Sequence, residues 1–272
     1  MNQIKVVVNG ALGKVGREVV VGVSRDPALS LVGAVDVLAV QEYLDVLEVS
    51  LQVPLTKDLS PLLSKYKPQV IVDFTIAEAA IAAARVAIKQ NVNLVIGTTG
   101  ISDSSLREIE RLAKDNNVGV VVAPNFALGA VVLMHLAKIA AKYFDHAEII
   151  ELHHNQKADS PSGTALATAE DMVQSRGKPF VHAPTMKENI NGTRGGQVEG
   201  IAIHSVRLPG LVASEEVIFG GQGQTLTLRH DTINRECFVP GVILAIKEVV
   251  KRKGLVYGLN ELLNLGRDDE VL

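Results

Sequence analysis

The segment Glu148–Ala165 holds the densest chemistry in the chain: Glu148-Ile149-Ile150-Glu151-Leu152-His153-His154-Asn155-Gln156-Lys157-Ala158-Asp159-Ser160-Pro161-Ser162-Gly163-Thr164-Ala165. A histidine titrates near neutral pH, so His153 or His154 suits proton transfer during a reduction. Neighbours on a strand point to opposite sides, so the two histidines have different tasks unless the strand has ended. The ammonium of Lys157 can give a proton or anchor a carboxylate, and Asp159 can orient it. Ser162-Gly163-Thr164 precedes a helical run, whose first N–H groups can grip a carboxylate. Taken singly, each residue has an ordinary use: Ser162 or Thr164 as a helix cap, the histidines as polar surface. It is the whole set within one short stretch that argues for a site. A metal reading of His146, Glu151, His153 and His154 is weaker. They follow no recognised ligand spacing and lack a cysteine set.

A second constellation lies at the start. Val6-Val7-Val8-Asn9-Gly10-Ala11-Leu12-Gly13-Lys14-Val15-Gly16-Arg17 reads as a strand, a glycine turn and a helix N-terminus. Glycines let the backbone approach a pyrophosphate, and the helix start offers unpaired N–H groups to it. The spacing is Gly-x-x-Gly-x-x-Gly, so the strand-turn-helix context strengthens what the motif alone leaves weak. Asp36 follows at the end of a second strand, where an acid can accept from an adenosine ribose. Val37 and Leu38 come next, with no arginine for a 2′-phosphate. This leans toward NADH, while Lys14 leaves NADPH open. Two more strand ends carry small or hydrogen-bonding groups, Gly97-Thr98-Thr99-Gly100 and Ala123-Pro124-Asn125-Phe126. Each is also compatible with ordinary turn chemistry. Near the end of the chain, Arg229 and Arg235 flank another strand end. An arginine fork there can bind a carboxylate bidentately, although a solvated surface arginine is the default reading.

The elements that must position these residues follow from apolar patterning. Ile4–Val8, Leu31–Val35, Val70–Phe74, Leu94–Ile96 and Val118–Val122 are short apolar runs without strict polar alternation, as strands buried on both faces are. Helix-like stretches such as Ala77–Gln90 and Asp103–Asp115 lie between them. This rhythm implies a Rossmann-like, doubly wound parallel sheet. After Pro124 the pattern changes. A helix-like stretch, Ala130–Tyr143, leads to Ala147–His154, Gly200–Leu208, Glu215–Phe219 and Gln224–His230. Several of these alternate polar and apolar residues, as in a mixed open sheet with one face covered and one open to solvent or a partner chain. Thr164–Gln174 is helix-like, and 183–200 reads as a loop. The last forty or so residues are helix-like, with Val242, Ala245, Ile246 and Val249 on one stripe. The expected organisation is 1–125 with 236–272 as a dinucleotide-binding domain, and 126–235 as an α+β domain for substrate and assembly.

The bulk properties restrict the class. The chain has 272 residues, room for about two domains, and a net charge of −3, without the basic footprint of a nucleic-acid binder. Its single cysteine, Cys237, excludes an intramolecular disulfide. The N-terminus lacks a signal-peptide layout, and no window of about 18 uncharged apolar residues exists. A cytoplasmic protein without membrane or nucleic-acid partners is expected.

The tract Glu148–Ala165 resembles the signature of the 4-hydroxy-tetrahydrodipicolinate (dihydrodipicolinate) reductase family: Glu-Ile-x-Glu-x-His, three residues, then Lys-x-Asp-x-Pro-Ser-Gly-Thr-Ala. Every fixed position is met. The likeness extends through Gly10–Gly16, Asp73-Phe74-Thr75, Gly97–Gly100, Ala123–Phe126, Ser205-Val206-Arg207 and His230–Arg235. It implies a homotetrameric NADH- or NADPH-dependent oxidoreductase of lysine and diaminopimelate biosynthesis, acting on a small cyclic dicarboxylate. By position, it implies His153 as proton donor or acceptor and Lys157 as proton donor. His154, Lys157, Gly163, Thr164 and Arg235 would contact substrate. Gly10, Ala11, Leu12, Gly13, Lys14, Val15, Asp36, Gly97, Thr98, Thr99, Ala123, Pro124, Asn125 and Phe126 would line the dinucleotide. The chain departs from the family around residues 37–60, where many relatives carry an acid followed by arginine; this counts against use of both dinucleotides. The rival readings are another dehydrogenase on a similar fold, a dinucleotide sensor and a metal-dependent lyase. The dense tract at 148–165 disfavours the sensor.

Overall fold

The computed structural model describes residues 3–265. The chain divides into two compact units, Met1–Leu128 with Arg235–Leu272, and Gly129–Asn234.

The first unit is built on β1 (Ile4–Asn9), α1 (Lys14–Arg25), β2 (Leu29–Val35), β3 (Tyr43–Val46), β4 (Leu51–Thr56), α2 (Leu59–Tyr66), β5 (Val70–Asp73), α3 (Ala77–Lys89), β6 (Asn93–Ile96), α4 (Asp103–Asp115) and β7 (Gly119–Val122). The second holds most of α5 (Leu128–Ala141), then β8 (His146–His153), α6 (Gly163–Arg176), β9 (Gly196–Val198), β10 (Ile201–Arg207), β11 (Ala213–Gly221) and β12 (Gln224–Thr232). The chain then returns to the first unit as α7 (Val239–Val249) and β13 (Gly254–Tyr257).

In unit 1 the sheet runs β13-β7-β6-β5-β1-β2-β4-β3. All its neighbours pair in parallel except β3, which is antiparallel to β4 at the edge. Val6, Val7, Val8, Ile71, Leu94 and Val121 have no exposed surface, so helices must cover both faces of the sheet. The helices read as amphipathic for the same reason: α1 buries Val19, Val20 and Val23, each worth about 1.5–3 kcal/mol. Strand order reverses between β1 and β5, and ligands bind beyond the carboxyl ends of strands at such a switch point.

Several expectations needed correction here. The last forty residues are not helical throughout, because after α7 the strand β13 pairs in parallel with β7 and closes that edge of the sheet. The region around 43–66 carries two strands and a helix that patterning did not resolve. The strand β4 contains Pro54, yet β2 pairs with β4 only at Leu55 and Thr56, so the missing Pro54 N–H costs that ladder nothing. The loop 183–200 also contains the three-residue strand β9, antiparallel to β10.

Unit 2 is a five-stranded mixed sheet in the order β12-β11-β8-β10-β9. One face, bearing Ile149, Ile203, Val217 and Phe219, is buried against Leu133, Ala137, Ala165, Ala169 and Met172 of α5 and α6. The other bears Glu148, His204, Glu216, Thr225 and Thr227, none of them buried. The alternation of polar and apolar residues thus reports a sheet covered on one side.

Candidate active site

The glycine turn after β1 is shaped by contacts that exclude side chains. Gly10 has φ +80°, and a Cβ there would press on the Phe74 carbonyl oxygen; a Cβ on Gly16 would overlap the Gly10 carbonyl. The helix α1 is preceded by Gly13 at its N-cap, which gives no side-chain cap, and has no acid in its first turn, so its leading amides are available to an anion. Asp36 is buried; its two carboxylate oxygens accept separately from the Leu12 and Leu38 N–H groups, each at 2.9 Å. Both oxygens keep a lone pair for a ribose hydroxyl.

A cavity of about 730 Å³ opens beside this turn, lined among others by Gly10, Gly13, Asp36, Lys57, Phe74 and Thr75. Lys57, at the entrance to α2, is a cation the sequence reading did not single out. Ala11 and Leu12 of the turn and Lys14 and Val15 of the α1 start do not line this cavity, and Ala11 is wholly buried. Gly97–Thr99 and Ala123–Phe126 follow β6 and β7 at the same carboxyl edge. Asp73 ties that edge together: fully buried, it accepts from Asn9 Nδ2 at 2.6 Å, Thr75 Oγ1 at 2.7 Å and Thr98 Oγ1 at 2.9 Å. Phe126 tilts against Phe74 with ring centroids 5.7 Å apart, and a Cβ on Gly97 would overlap the Phe74 ring. The open helix start, the acid at the end of β2 and the apolar cavity fit a nicotinamide dinucleotide.

In unit 2, β8 ends at His153, so His154 lies beyond the strand and is freed from the strict alternation. The organising residue is Glu151, whose side chain is fully buried. Arg207 of β10 grips it as a fork, Nη1 to Oε2 at 2.8 Å and Nη2 to Oε1 at 2.6 Å. Burial pushes the Glu151 carboxyl up, but hydrogen bonds from Arg207, Ser205 and His153 outweigh it and hold the group below its ordinary value.

An ionised Glu151 can only accept, so the 2.6 Å contact with His153 places the imidazole proton on Nδ1. Among the described residues this leaves Nε2 as the free nitrogen of His153. Burial lowers the pKa of His153; Glu151 opposes this, and the nearby charges of Lys157 and Arg207 reinforce it. The imidazole is therefore held toward its neutral form.

Lys157 donates to Asp159 Oδ1 at 2.7 Å, while the main-chain oxygen of Asp159 accepts from Arg207 Nη2 at 2.9 Å. One arginine thus braces both the strand end and the lysine loop. Ser162, rather than Thr164, caps α6: its Oγ accepts from the Ala165 N–H at 3.2 Å, and its own N–H reaches Glu151 Oε1 at 3.3 Å. The first turn of α6 has no acid, and Gly163 is exposed with open space where a Cβ would stand. Its amide is accessible to a carboxylate.

The structure therefore gathers His153, His154, Lys157, Gly163 and Thr164 around the end of β8 and the start of α6. Arg235 belongs to unit 1, where it opens a short 3₁₀ turn, Arg235–Phe238. Arg229 is engaged by Asp231 and Glu216, in keeping with a surface ion pair. Glu151 and Arg207 were present in the sequence motifs but had no assigned task; only strand register brings Arg207 beside His153.

Comparison with known proteins agrees with this geometry. The family model described as dihydrodipicolinate reductase, N-terminus, matches residues 4–126, and the corresponding C-terminus model matches residues 129–263. A Dehalococcoides mccartyi protein named 4-hydroxy-tetrahydrodipicolinate reductase is 53% identical over 265 residues, covering 97% of this chain and 100% of that protein. A Moorella thermoacetica protein of the same name is 52% identical over 262 residues, covering 96% and 98%. A solved dipicolinate-bound dihydrodipicolinate reductase from Paenisporosarcina sp. TG-14 superposes with a TM-score of 0.85 at 41% identity, over 95% of this chain and 99% of that one. An amine dehydrogenase from Mycobacterium smegmatis, at 17% identity and a TM-score of 0.64, shares the fold alone. With both of its units matched in order and relatives aligned over nearly its whole length, the chain belongs to the dihydrodipicolinate reductase family.

Proposed function

We propose that this protein reduces 4-hydroxy-tetrahydrodipicolinate to tetrahydrodipicolinate, with loss of water, in the diaminopimelate route to lysine. The observation that carries the reading is His153, fixed by Glu151 and standing with Lys157 at the uncapped-by-acid start of α6. We assign dinucleotide binding to unit 1 and substrate binding to unit 2. In unit 1, Gly10–Val15 and the α1 start hold the pyrophosphate, Asp36 the ribose, and Gly97–Thr99 with Ala123–Phe126 the nicotinamide side. Bound NADH or NADPH supplies the hydride that reaches the ring carbon losing its hydroxyl.

In unit 2, the amides of Gly163 and Thr164 hold one substrate carboxylate, with His154 and Lys157 as further contacts. Departure of the hydroxyl as water requires one proton. His153 is held toward neutrality, so its Nε2 orients and accepts, and Lys157 is the group that delivers the proton. The solved relative named as dipicolinate-bound supports a small planar dicarboxylate as ligand class.

Among the described residues no helix is long and apolar enough to cross a membrane. We place the enzyme in the cytoplasm, working on a small molecule and not on nucleic acid. We propose a homotetramer in which the open face of the unit 2 sheet meets partner subunits.

The test is a coupled assay. The cyclic substrate is generated from aspartate semialdehyde and pyruvate by the preceding synthase, and loss of reduced dinucleotide absorbance is followed with NADH and NADPH separately. Oxidation that depends on this protein establishes the reaction, and the two rates rank the cofactors. A folded protein that binds dinucleotide yet oxidises neither would refute the assignment.

A further inference from the structure

The cavity beside the glycine turn carries a charge pattern that binding a ribose hydroxyl does not require. Two carboxylates, Asp36 and Asp58, stand in its wall, and Lys57 is the one cation among the described residues that line it. Lys57 is exposed, and its side chain makes no ion pair or hydrogen bond among the described residues.

Strand register sets where this cation stands. Val35 of β2 pairs in parallel with Thr56 of β4, and the Asp36 N–H continues the ladder to the Thr56 carbonyl at 3.0 Å. Asp36 and Lys57 are therefore the next residues on adjacent strands at one carboxyl edge, where neighbouring backbones lie about 4.7–4.9 Å apart.

The rest of the cavity fixes which part of a dinucleotide reaches them. Gly10 and Gly13 mark its pyrophosphate end. Ala79, Ala82 and Ala83 of α3 give a low apolar wall that suits a flat adenine ring. An adenosine with its pyrophosphate at the first and its ring on the second carries its ribose across the ends of β2 and β4.

There the charges act in opposite senses. The Asp36 carboxylate accepts from a 2′-hydroxyl. A 2′-phosphate carries a charge of about −1.5 to −2 at neutral pH and is repelled by both Asp36 and Asp58. No cation follows Asp36 in the chain, where Val37 and Leu38 stand. Lys14 belongs to the start of α1 and does not line the cavity.

We propose that Lys57 is the cofactor-specificity residue of this chain: from the end of β4 its ammonium receives the 2′-phosphate of NADPH, so that the protein binds NADPH as well as NADH. The inference rests on the assignment of dinucleotide binding to unit 1 made above. Asp36 and Lys57 divide the selection between them, the acid taking the hydroxyl of NADH and the lysine the phosphate of NADPH. No existing ion pair has to break for Lys57 to turn to a phosphate, and its flexible stem lets the ammonium follow the ligand. Because Lys57 is exposed, salt screens the contact.

Calorimetry on the full-length protein tests this without turnover. The parent binds NADPH no more than about tenfold more weakly than NADH. Lys57→Met keeps most of the stem and removes the charge, and the ratio of NADPH to NADH affinity falls by about tenfold, the scale of one hydrogen bond to a charged group. Lys57→Arg restores the ratio. Added salt weakens NADPH more steeply than NADH in the parent, and this difference shrinks in Lys57→Met. A merely structural lysine moves neither the ratio nor its salt dependence.

Adenosine 2′,5′-bisphosphate and adenosine 5′-monophosphate repeat the comparison with the 2′-phosphate as the one difference. If Lys57→Met weakens both fragments equally, Lys57 contacts the ring or the 5′-phosphate and the proposal is overturned. A parent that binds NADPH more than about tenfold more weakly than NADH overturns it too, as does a ratio that falls in Lys14→Met and not in Lys57→Met. Binding of both dinucleotides with an unchanged ratio in Lys57→Met removes Lys57 alone. A folded parent that binds neither overturns the dinucleotide reading of unit 1 itself, so the two failures are distinct results.

Discussion

Replacing Arg207 with Met tests the keystone of the site. Glu151 has no exposed side-chain surface, and Arg207 supplies two of its hydrogen bonds, at 2.6 and 2.8 Å. The substitution keeps most of the volume but strands a buried carboxylate with only His153, Ser205 and the Ser162 N–H. Breaking a buried pair from one side costs about 3–5 kcal/mol, since the desolvation cost of the remaining charge is no longer offset. Loss of the main lowering influence on Glu151 also moves its pKa up, and His153 loses an ionised acceptor for its Nδ1–H. The same guanidinium holds the Asp159 carbonyl, so the Lys157 loop is released as well. Turnover should fall by about 10²-fold or more. Because two units complicate a single global unfolding curve, hydrogen exchange of β8 and β10 amides is the appropriate stability readout. Adding Glu151→Leu removes the stranded charge and should recover much of the lost protection, although not the activity. If Arg207→Met alone stays within about 1 kcal/mol of the parent and turns over normally, the ion pair does not organise this site.

Further outcomes follow from the same geometry. Changing His153 or Lys157 to Ala should lower turnover by about 10²–10⁴-fold while leaving dinucleotide affinity, measured by calorimetry, nearly unchanged; full activity in either variant removes that residue from catalysis. In Gly16→Ala the new Cβ meets the Gly10 carbonyl, backbone against backbone, so dinucleotide affinity should drop by about tenfold or more. In Asp36→Ala the ribose loses its acceptor and a 2′-phosphate loses its repulsion, so the ratio of NADPH to NADH affinity should rise by about tenfold. An unchanged ratio would take Asp36 out of cofactor selection. Relative to the parent, Glu215→Gln should become more stable as pH rises. The unfolded carboxyl ionises near 4.5 and the folded one near 7, so between these values the native state binds more protons and its stability falls with pH. The difference from the Gln variant should grow from near zero below about pH 4.5 to about 3 kcal/mol above about pH 7. A flat difference in amide exchange across that window would mean that Glu215 titrates normally.

What the sequence determines by itself is whatever depends on near neighbours. The strands β1, β2, β5, β6 and β7 of unit 1 are legible because each is a short, largely buried apolar run, and the turn at Gly10–Gly16 because its glycine spacing falls within one strand-turn-helix unit. His153, Lys157 and the α6 start are legible because type and spacing place them in one stretch, and the cap at Ser162 is a local hydrogen bond. Where neighbours in space are distant in the chain, the pattern is silent. The strand β13 has only four residues after a helix, and its identity comes from pairing with β7. Arg207 has no task that the sequence assigns until parallel pairing of β10 with β8 sets it beside Glu151 and His153. Glu215 reads as one of two adjacent acids on an alternating strand, until antiparallel pairing with β8 buries it opposite Glu151. The sequence thus determined which groups can do the chemistry. Tertiary structure decided which proton each one holds, because burial and cross-strand charge, rather than residue type, set the ionisation of Glu151, His153 and Glu215.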